Sequence, residues 1–507
     1  MHEIITLQLG QRSNYLATHF WNAQESYFKY SDQEDSLVNA DVHFRAGLGP
    51  DNVETFTPRT VIYDLKGGFG SLRKINALYD LEEEPTAARL WDGATLTQHQ
   101  QAIEPSRYQT LLDQGLPTFQ LHDGDVRYWS DFNRVFYHPR SAVQLDQYEL
   151  NSQLMPFENW STGEELFRDL DKEFDLIDRD VRPFVEECDQ MQGLQMLAGS
   201  DDAWGGFAAR YLDSLRDEYG KTSIWVWGSE NTTRLPRREQ LLRSTNAARS
   251  MAAFGQQASA YIRLATIPKS YPSYLNIHST SDWVLTALQC AAFESATLPT
   301  RLAHDSTHNV SLSLLEAILN TTGTQNILDL QLSRKPAEHT PINGATSTAL
   351  HNGHNDEAES ADAESLDISF VPGQDQAPHS AHTFARTEVH RSHHDSLPAA
   401  TDSREEQLRR RQNEETIVEK FETKLTFPLL DSFPESLFRP DGLRSSLELT
   451  AALSSSSGMK NHILQLREVT RRGLTSDERE ATYNDLSELA NNYSFGWENS
   501  SDEGEDV

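Results

Sequence analysis

Two glycine turns in this sequence stand where a chain can hold an anion. The first is Gly10-Gln11, between the apolar run Ile4 to Leu9 and a helical pattern that begins at Arg12. In a doubly wound sheet, the turn from first strand to first helix presents backbone N–H groups to a phosphate. A glycine there equally serves a tight structural turn, and both readings stand. The second turn is Gly205-Gly206, within Gly199-Ser200-Asp201-Asp202-Ala203-Trp204-Gly205-Gly206-Phe207. Two glycines let backbone approach a phosphate, but Asp201 and Asp202 repel one. Capping a helix N-terminus suits those carboxylates better.

Other chemistries are not encoded. Gly220-Lys221-Thr222 imitates the end of a P-loop, but Leu215 stands where that motif needs its first glycine. The order there is helix then strand, the reverse of a P-loop, so the glycine reads as a helix C-cap. There is no GxSxG, HExxH or GxGxxG. Eight of the 18 histidines, His390, His393 and His394 among them, fall between 334 and 400. That stretch lacks the cysteines and rigid frame of a metal centre, so no metal site and no catalytic residue is expected.

Charge and composition narrow the function classes. The net charge of −33 argues against a nucleic-acid surface, which needs clustered Lys and Arg. Cys188 and Cys290 are the only cysteines, too few for a disulfide framework or a zinc module, and they fit a reducing compartment. The N-terminus lacks the features of a signal or transit peptide. The most apolar stretch, about Trp283 to Phe293, is too short to span a bilayer, so any membrane association is expected to be peripheral.

The elements that must position the turns follow from periodicity. Strand-like runs at Ile4 to Leu9, Thr60 to Leu65, Leu194 to Ala198, Thr222 to Trp227 and Tyr261 to Ile267 alternate with helical patterns. Glycines Gly67, Gly68 and Gly70 follow the second strand, then a short helix containing Leu72 and Ile75. This predicts an α/β fold, a doubly wound and mostly parallel sheet with helices on both faces. Leu166, Leu170, Phe174, Ile177, Val181 and Phe184 predict one long helix over 164–187, kinked at Pro183. Residues 229–258 read as a polar, helical insertion. The expected organisation is an N-terminal domain over 1–300 and a smaller α+β C-terminal domain from 301–333 with 410–497. A disordered low-complexity insertion is expected over 334–409, and an acidic tail over 498–507.

Three stretches resemble tubulins. They are Met1 to Gln11, Thr57 to Leu65 (similar to "PRAVFVDLE"), and the block from Gln192 to Lys221 that carries the glycine-rich loop. Two others, Val126 to Phe132 running on to Phe136 to Ser141, and Phe184 to Asp189, resemble the misato family of tubulin-related proteins. The resemblance covers most of residues 1–300. It implies a tubulin/FtsZ-like fold and a role in mitochondrial distribution and morphology. For fungal members it implies partitioning of the organelle and inheritance of mitochondrial DNA.

It also implies GTP as the ligand and Gly10, Gln11, Asp64, Gly205 and Gly206 as nucleotide-site positions, here vestigial. The tubulin GGGTGSG loop is reduced to Gly205 and Gly206 beside acid and Trp204. Arg12-Ser13 replaces Cys-Gly, and Lys66 replaces the Glu of "DLE". These departures predict a non-enzymatic scaffold without a cofactor. The rival readings are a GTP-binding, GTP-hydrolysing protein with an altered loop, and a cytoskeletal adaptor. The expected location is the cytosolic side of mitochondria and the cytoplasm. Protein partners at the mitochondrial surface or the cytoskeleton are expected, with no direct contact to nucleic acid.

Overall fold

The computed structural model describes residues 2–28, 36–48, 54–72, 103–277, 280–303, 306, 308–334, 366–373, 381–392, 416–438 and 446–495. The first half runs β1 (Ile4–Leu9), α1 (Gln11–Glu25), β2 (Phe44–Leu48), β3 (Glu54–Pro58), β4 (Thr60–Lys66), α2 (Arg107–Asp113), β5 (Ala142–Glu149), α3 (Trp160–Phe174), α4 (Arg182–Val185), β6 (Gly193–Gly199), α5 (Ala203–Glu218) and β7 (Ser223–Glu230). Then come α6 (Arg237–Gln257), β8 (Ala260–Ala265), α7 (Asp282–Thr297), α8 (Leu312–Leu319), β9 (Ile327–Arg334), β10 (Ile368–Ser369), β11 (Thr383–Arg391), β12 (Ile417–Thr423), β13 (Phe427–Pro428), β14 (Ser446–Leu447), β15 (Leu449–Ser456), α9 (Gly458–Gly473) and α10 (Ser476–Asn491).

One large sheet holds the order β12-β11-β15-β9-β8-β7-β6-β1-β4-β5, with β10 paired to β9. From β5 to β9 every neighbour is parallel. Beyond β9 the sheet is mixed, since β15 pairs antiparallel with both β9 and β11. β1, β4, β6, β7 and β8 are buried on both faces, as a covered parallel sheet requires, whereas the edge strand β5 buries only Leu145. Alternation assigns the faces. Ile4, Ile62, Trp225 and Trp227 join one core with residues of α1 and α7. Ile5, Leu7, Tyr63 and Val226 join the other with residues of α3, α5 and α6.

Strand order reverses at β1. The chain goes from β1 to β4 on one side and returns from β5 to β6 on the other, so β1 and β6 lie side by side. Their carboxyl ends, Gly10 and Gly199–Asp202, flank the switch point where open α/β sheets bind ligands.

The expected fold class is observed, and three local expectations are corrected. The helix over 164–187 is not continuous. It stops at Asp175, which takes a left-handed φ of 49° as C-cap of α3. A π turn, Ile177–Val181, follows, and Pro183 sits in the first turn of α4, where its missing N–H costs nothing. Phe174 is therefore 44 % exposed, against Arg179, not core. Residues 237–257 are no insertion; α6 is the crossover between parallel β7 and β8. Within 334–409, residues Ile368–Ser369 and Thr383–Arg391 are strands of the large sheet, not disordered chain. The helix expected around Ile75 and the 498–507 tail lie outside the described residues.

Candidate functional site

The switch point opens into a cavity of about 220 Å³, lined in part by Gly10, Gln11, Arg12, Asp64, Asp202 and Trp204. Gly10 adopts φ 87°, a conformation open to glycine and strained for other residues. Its N–H donates to Tyr63 O at 3.0 Å, and its carbonyl accepts from Asn14 N at 3.0 Å. No side chain among the described residues caps α1 there.

Gln11 and Asp64 are brought together, but they serve each other. Asp64 is fully buried. Its Oδ2 accepts from Gln11 Nε2 at 2.6 Å, Asn14 Nδ2 at 2.7 Å and Trp129 Nε1 at 3.2 Å, while Oδ1 accepts from Leu65 N at 2.8 Å. Burial pushes this carboxyl up to about 7, and the donors, Asn14 foremost, oppose the rise. Gln11 Nε2 also donates to Gly68 O at 2.6 Å, closing the loop after β4 over the pair. Asn14, Gly68 and Trp129 escaped the sequence reading as site residues. Trp129 did lie in one of the stretches that singled out the family.

Trp204 and the acidic side chains decide the character of the cavity. A Cβ on Gly10 would come within 2.6 Å of Trp204 Cε2, so the indole lies directly against that glycine. Trp204 is 6 % exposed, wedged edge-on between Phe157 (5.2 Å) and Phe207 (5.7 Å). The cavity walls also carry Glu149, Glu158 and Asp282 beside Asp64 and Asp202, against the single cation Arg12. Arg12 Nε faces Asp282 Oδ1 at 3.4 Å. Burial, then repulsion from Asp201, lifts Asp202 to about 6. Lys66 is not among the lining residues.

Gly205 and Gly206 do not line the cavity, which corrects their expected role. Both lie inside α5. A Cβ on Gly206 would approach Trp160 C at 2.8 Å and Glu164 N at 2.9 Å, both in the backbone of α3. Gly163 of α3 answers it, since its Cβ would lie 2.9 Å from Phe207 N. Gly205 is held against Ser200 O and Ser250. These glycines let helices meet at backbone distance. The N-terminal amides of α5 are engaged internally: Trp204 N donates to Asp202 Oδ1 at 2.9 Å and Gly205 N to Asp202 O at 3.2 Å. Asp202 is thus an N-cap, as its residue type suggests. Asp201 Oδ2 accepts from Asn231 N at 2.9 Å and pairs with Arg243 at 3.3 Å.

Among the described residues no group of three or more His, Cys, Asp and Glu is arranged to hold a metal ion. His390 lies in β11, with Nδ1 3.1 Å from Thr450 Oγ1 and Nε2 3.4 Å from Glu388. His393 and His394 lie outside the described residues. No helix among the described residues is long and apolar enough to cross a membrane.

Comparison with known proteins places this geometry. The family model of the Misato Segment II tubulin-like domain matches residues 2–114, and that of the tubulin domain matches residues 118–302. Protein dml1 of Aspergillus clavatus is 48 % identical over 510 residues, and protein dml-1 of Neurospora crassa 45 % over 542, each match covering 100 % of both chains. Protein DML1 of Yarrowia lipolytica is 26 % identical over the same full coverage.

Proposed function

From the premise that this chain belongs to the misato family of tubulin-like proteins, we propose that it is a non-enzymatic scaffold in mitochondrial partitioning and mitochondrial DNA inheritance. The observation that carries the non-enzymatic half is the Trp204 indole seated against Gly10. It packs against Gly10 at the turn from which α1 would offer its amides to a phosphate, and it takes up part of the cavity lining there. Carboxylates around it outnumber the one guanidinium, and a polyphosphate entering there meets net repulsion. The glycines that would supply the second set of amides are spent on helix packing.

The mitochondrial half rests on the family resemblance. It carries the expected location, the cytosolic side of mitochondria, and protein partners there or on the cytoskeleton.

A second reading, GTP binding at the same cavity, is favoured by one feature. Among the described residues no side chain caps the N-terminus of α1, and Arg12 stands beside it. Equilibrium titration of the full chain with a fluorescent GTP analogue separates the two. No saturation up to millimolar nucleotide supports the scaffold. Micromolar binding that Arg12→Glu abolishes overturns it in favour of a nucleotide-binding protein. For the organelle role, the readout is mitochondrial DNA content in daughter cells after deletion of the gene; unaltered partitioning sinks it. Co-sedimentation with polymerised tubulin tests the adaptor reading, which the acidic balance of the chain disfavours.

A further inference from the structure

A second and larger cleft, of about 850 Å³, opens at the carboxyl ends of β7 and β8, on the α6 side of the sheet. The loop after β7 forms one wall, the loop after β8 another, and α9 closes the far side. Its charge runs against the rest of the molecule. Arg234, Arg243, Arg263 and Lys269 line it, against only Asp201 and Glu230, in a chain of net charge −33. Arg237 and Arg238, at the start of α6, add two exposed cations next to it in sequence.

These cations are unequally committed. Arg263 is 3 % exposed; its Nε and Nη2 grip Glu230 at 2.7 and 2.8 Å, while its Nη1 has no hydrogen-bond partner among the described residues. A buried guanidinium N–H without an acceptor is costly and marks a place for one. Arg243 is shared with Asp201 at 3.3 Å and keeps part of its side chain in solvent. Arg234 is exposed and forms no hydrogen bond or ion pair among the described residues. Apolar side chains, Ile267, Pro268, Pro372, Leu466 and Val469, form another part of the wall. The volume falls within the range of small-molecule sites, which combine apolar walls with a few placed polar groups.

We infer that this cleft binds an amphiphilic phosphate ester, its anionic head among Arg234, Arg243 and Arg263 and its apolar body along the Ile267, Pro372 and Leu466 wall. Arginine suits that head because its planar fork matches phosphate oxygens. The site is separate from the cavity at Gly10 and stands whether or not that cavity takes nucleotide.

The test uses the full chain and two probes. One is 1-naphthyl phosphate, followed by titration calorimetry. The other is vesicles containing phosphatidic acid, compared with vesicles of phosphatidylcholine alone. Arg234→Glu, a change at an exposed residue with the fold checked by circular dichroism, is expected to weaken binding about tenfold, the order of one charge-assisted contact. Saturable binding of the soluble ester, sensitive to this change, supports a soluble ligand. Selective and equally sensitive vesicle binding supports a lipid headgroup. Either outcome upholds the site. Failure of both probes at millimolar phosphate overturns it, and so does binding that ignores both Arg234→Glu and Arg243→Glu.

Discussion

The indole N–H of Trp129 donates to Oδ2 of Asp64 at 3.2 Å, across 65 residues of chain. Both groups are buried, and the bond joins one of the stretches whose sequence resembles the misato family to the carboxylate at the end of β4. The 3₁₀ turn Trp129–Phe132 presents the indole; Asp131 holds that turn by accepting from Arg127 N at 2.9 Å and Tyr128 N at 3.1 Å. A stretch that looked like a family signature is thereby given a physical task, which is to supply one of four donors to a buried acid.

Trp129→Phe keeps a six-membered aromatic ring and removes the donor together with the pyrrole half of the indole. A hydrogen bond to a charged, buried acceptor contributes about 1.5–3 kcal/mol. A loss of about that size is expected in urea unfolding at pH 8. An unchanged midpoint would show that water or a neighbour replaces the indole.

Gly206→Ala pushes a methyl into the α3 backbone at Trp160 and Glu164. Overpacking of this kind costs about 1–3 kcal/mol. Gly220→Ala, whose new Cβ would lie 3.4 Å from Arg216 O, is the control and should change stability by less than about 0.5 kcal/mol. The loss at Gly206 is expected without any nucleotide present. Equal midpoints for the two variants would refute a packing role.

His462 gives a pH dependence of definite sign. Burial, then the charge of Arg263, drives its imidazole down to about 3. Between pH 6.5 and that value the unfolded chain binds a proton that the folded chain refuses. Stability from this group is thus present above pH 6.5 and is lost on acidification. Over the first 1.5 pH units the loss is about 2 kcal/mol. Asp64, raised to about 7, acts oppositely, since its folded form takes up a proton first. The comparison must therefore be with His462→Gln, which should lose less stability than the parent between pH 7 and pH 5. Parallel pH curves for parent and variant would contradict the assignment.

Glu294, Arg301 and Arg391 form a fully buried ion cluster joining α7 to the turn after it and to β11. Burial raises the Glu294 carboxyl, but the two guanidiniums outweigh it and hold it below its usual range. Glu294→Gln leaves two buried cations without their counter-charge. A loss of about 3–5 kcal/mol is expected in urea unfolding. Near-neutral behaviour would mean that the carbonyls of Thr426 and Leu425, which also accept from Arg391, suffice.

The sequence by itself determined the parallel core. Runs such as Ile4 to Leu9 and Thr60 to Leu65 carry apolar residues on both faces, and only a sheet covered on both sides buries such runs. It also pointed to a helix cap at Asp201-Asp202, because that role depends on neighbours two residues away; the structure gives it to Asp202, while Asp201 binds Asn231 and Arg243. Tertiary structure decided the rest, because the deciding contacts join residues far apart in sequence. No local pattern shows that Gly206 meets Glu164, that Trp204 lies on Gly10, or that Asp64 collects donors from Gln11, Asn14 and Trp129. Composition likewise hid β11 in a polar, histidine-rich stretch, where pairing with β15 and β12 supplies what its side chains do not advertise.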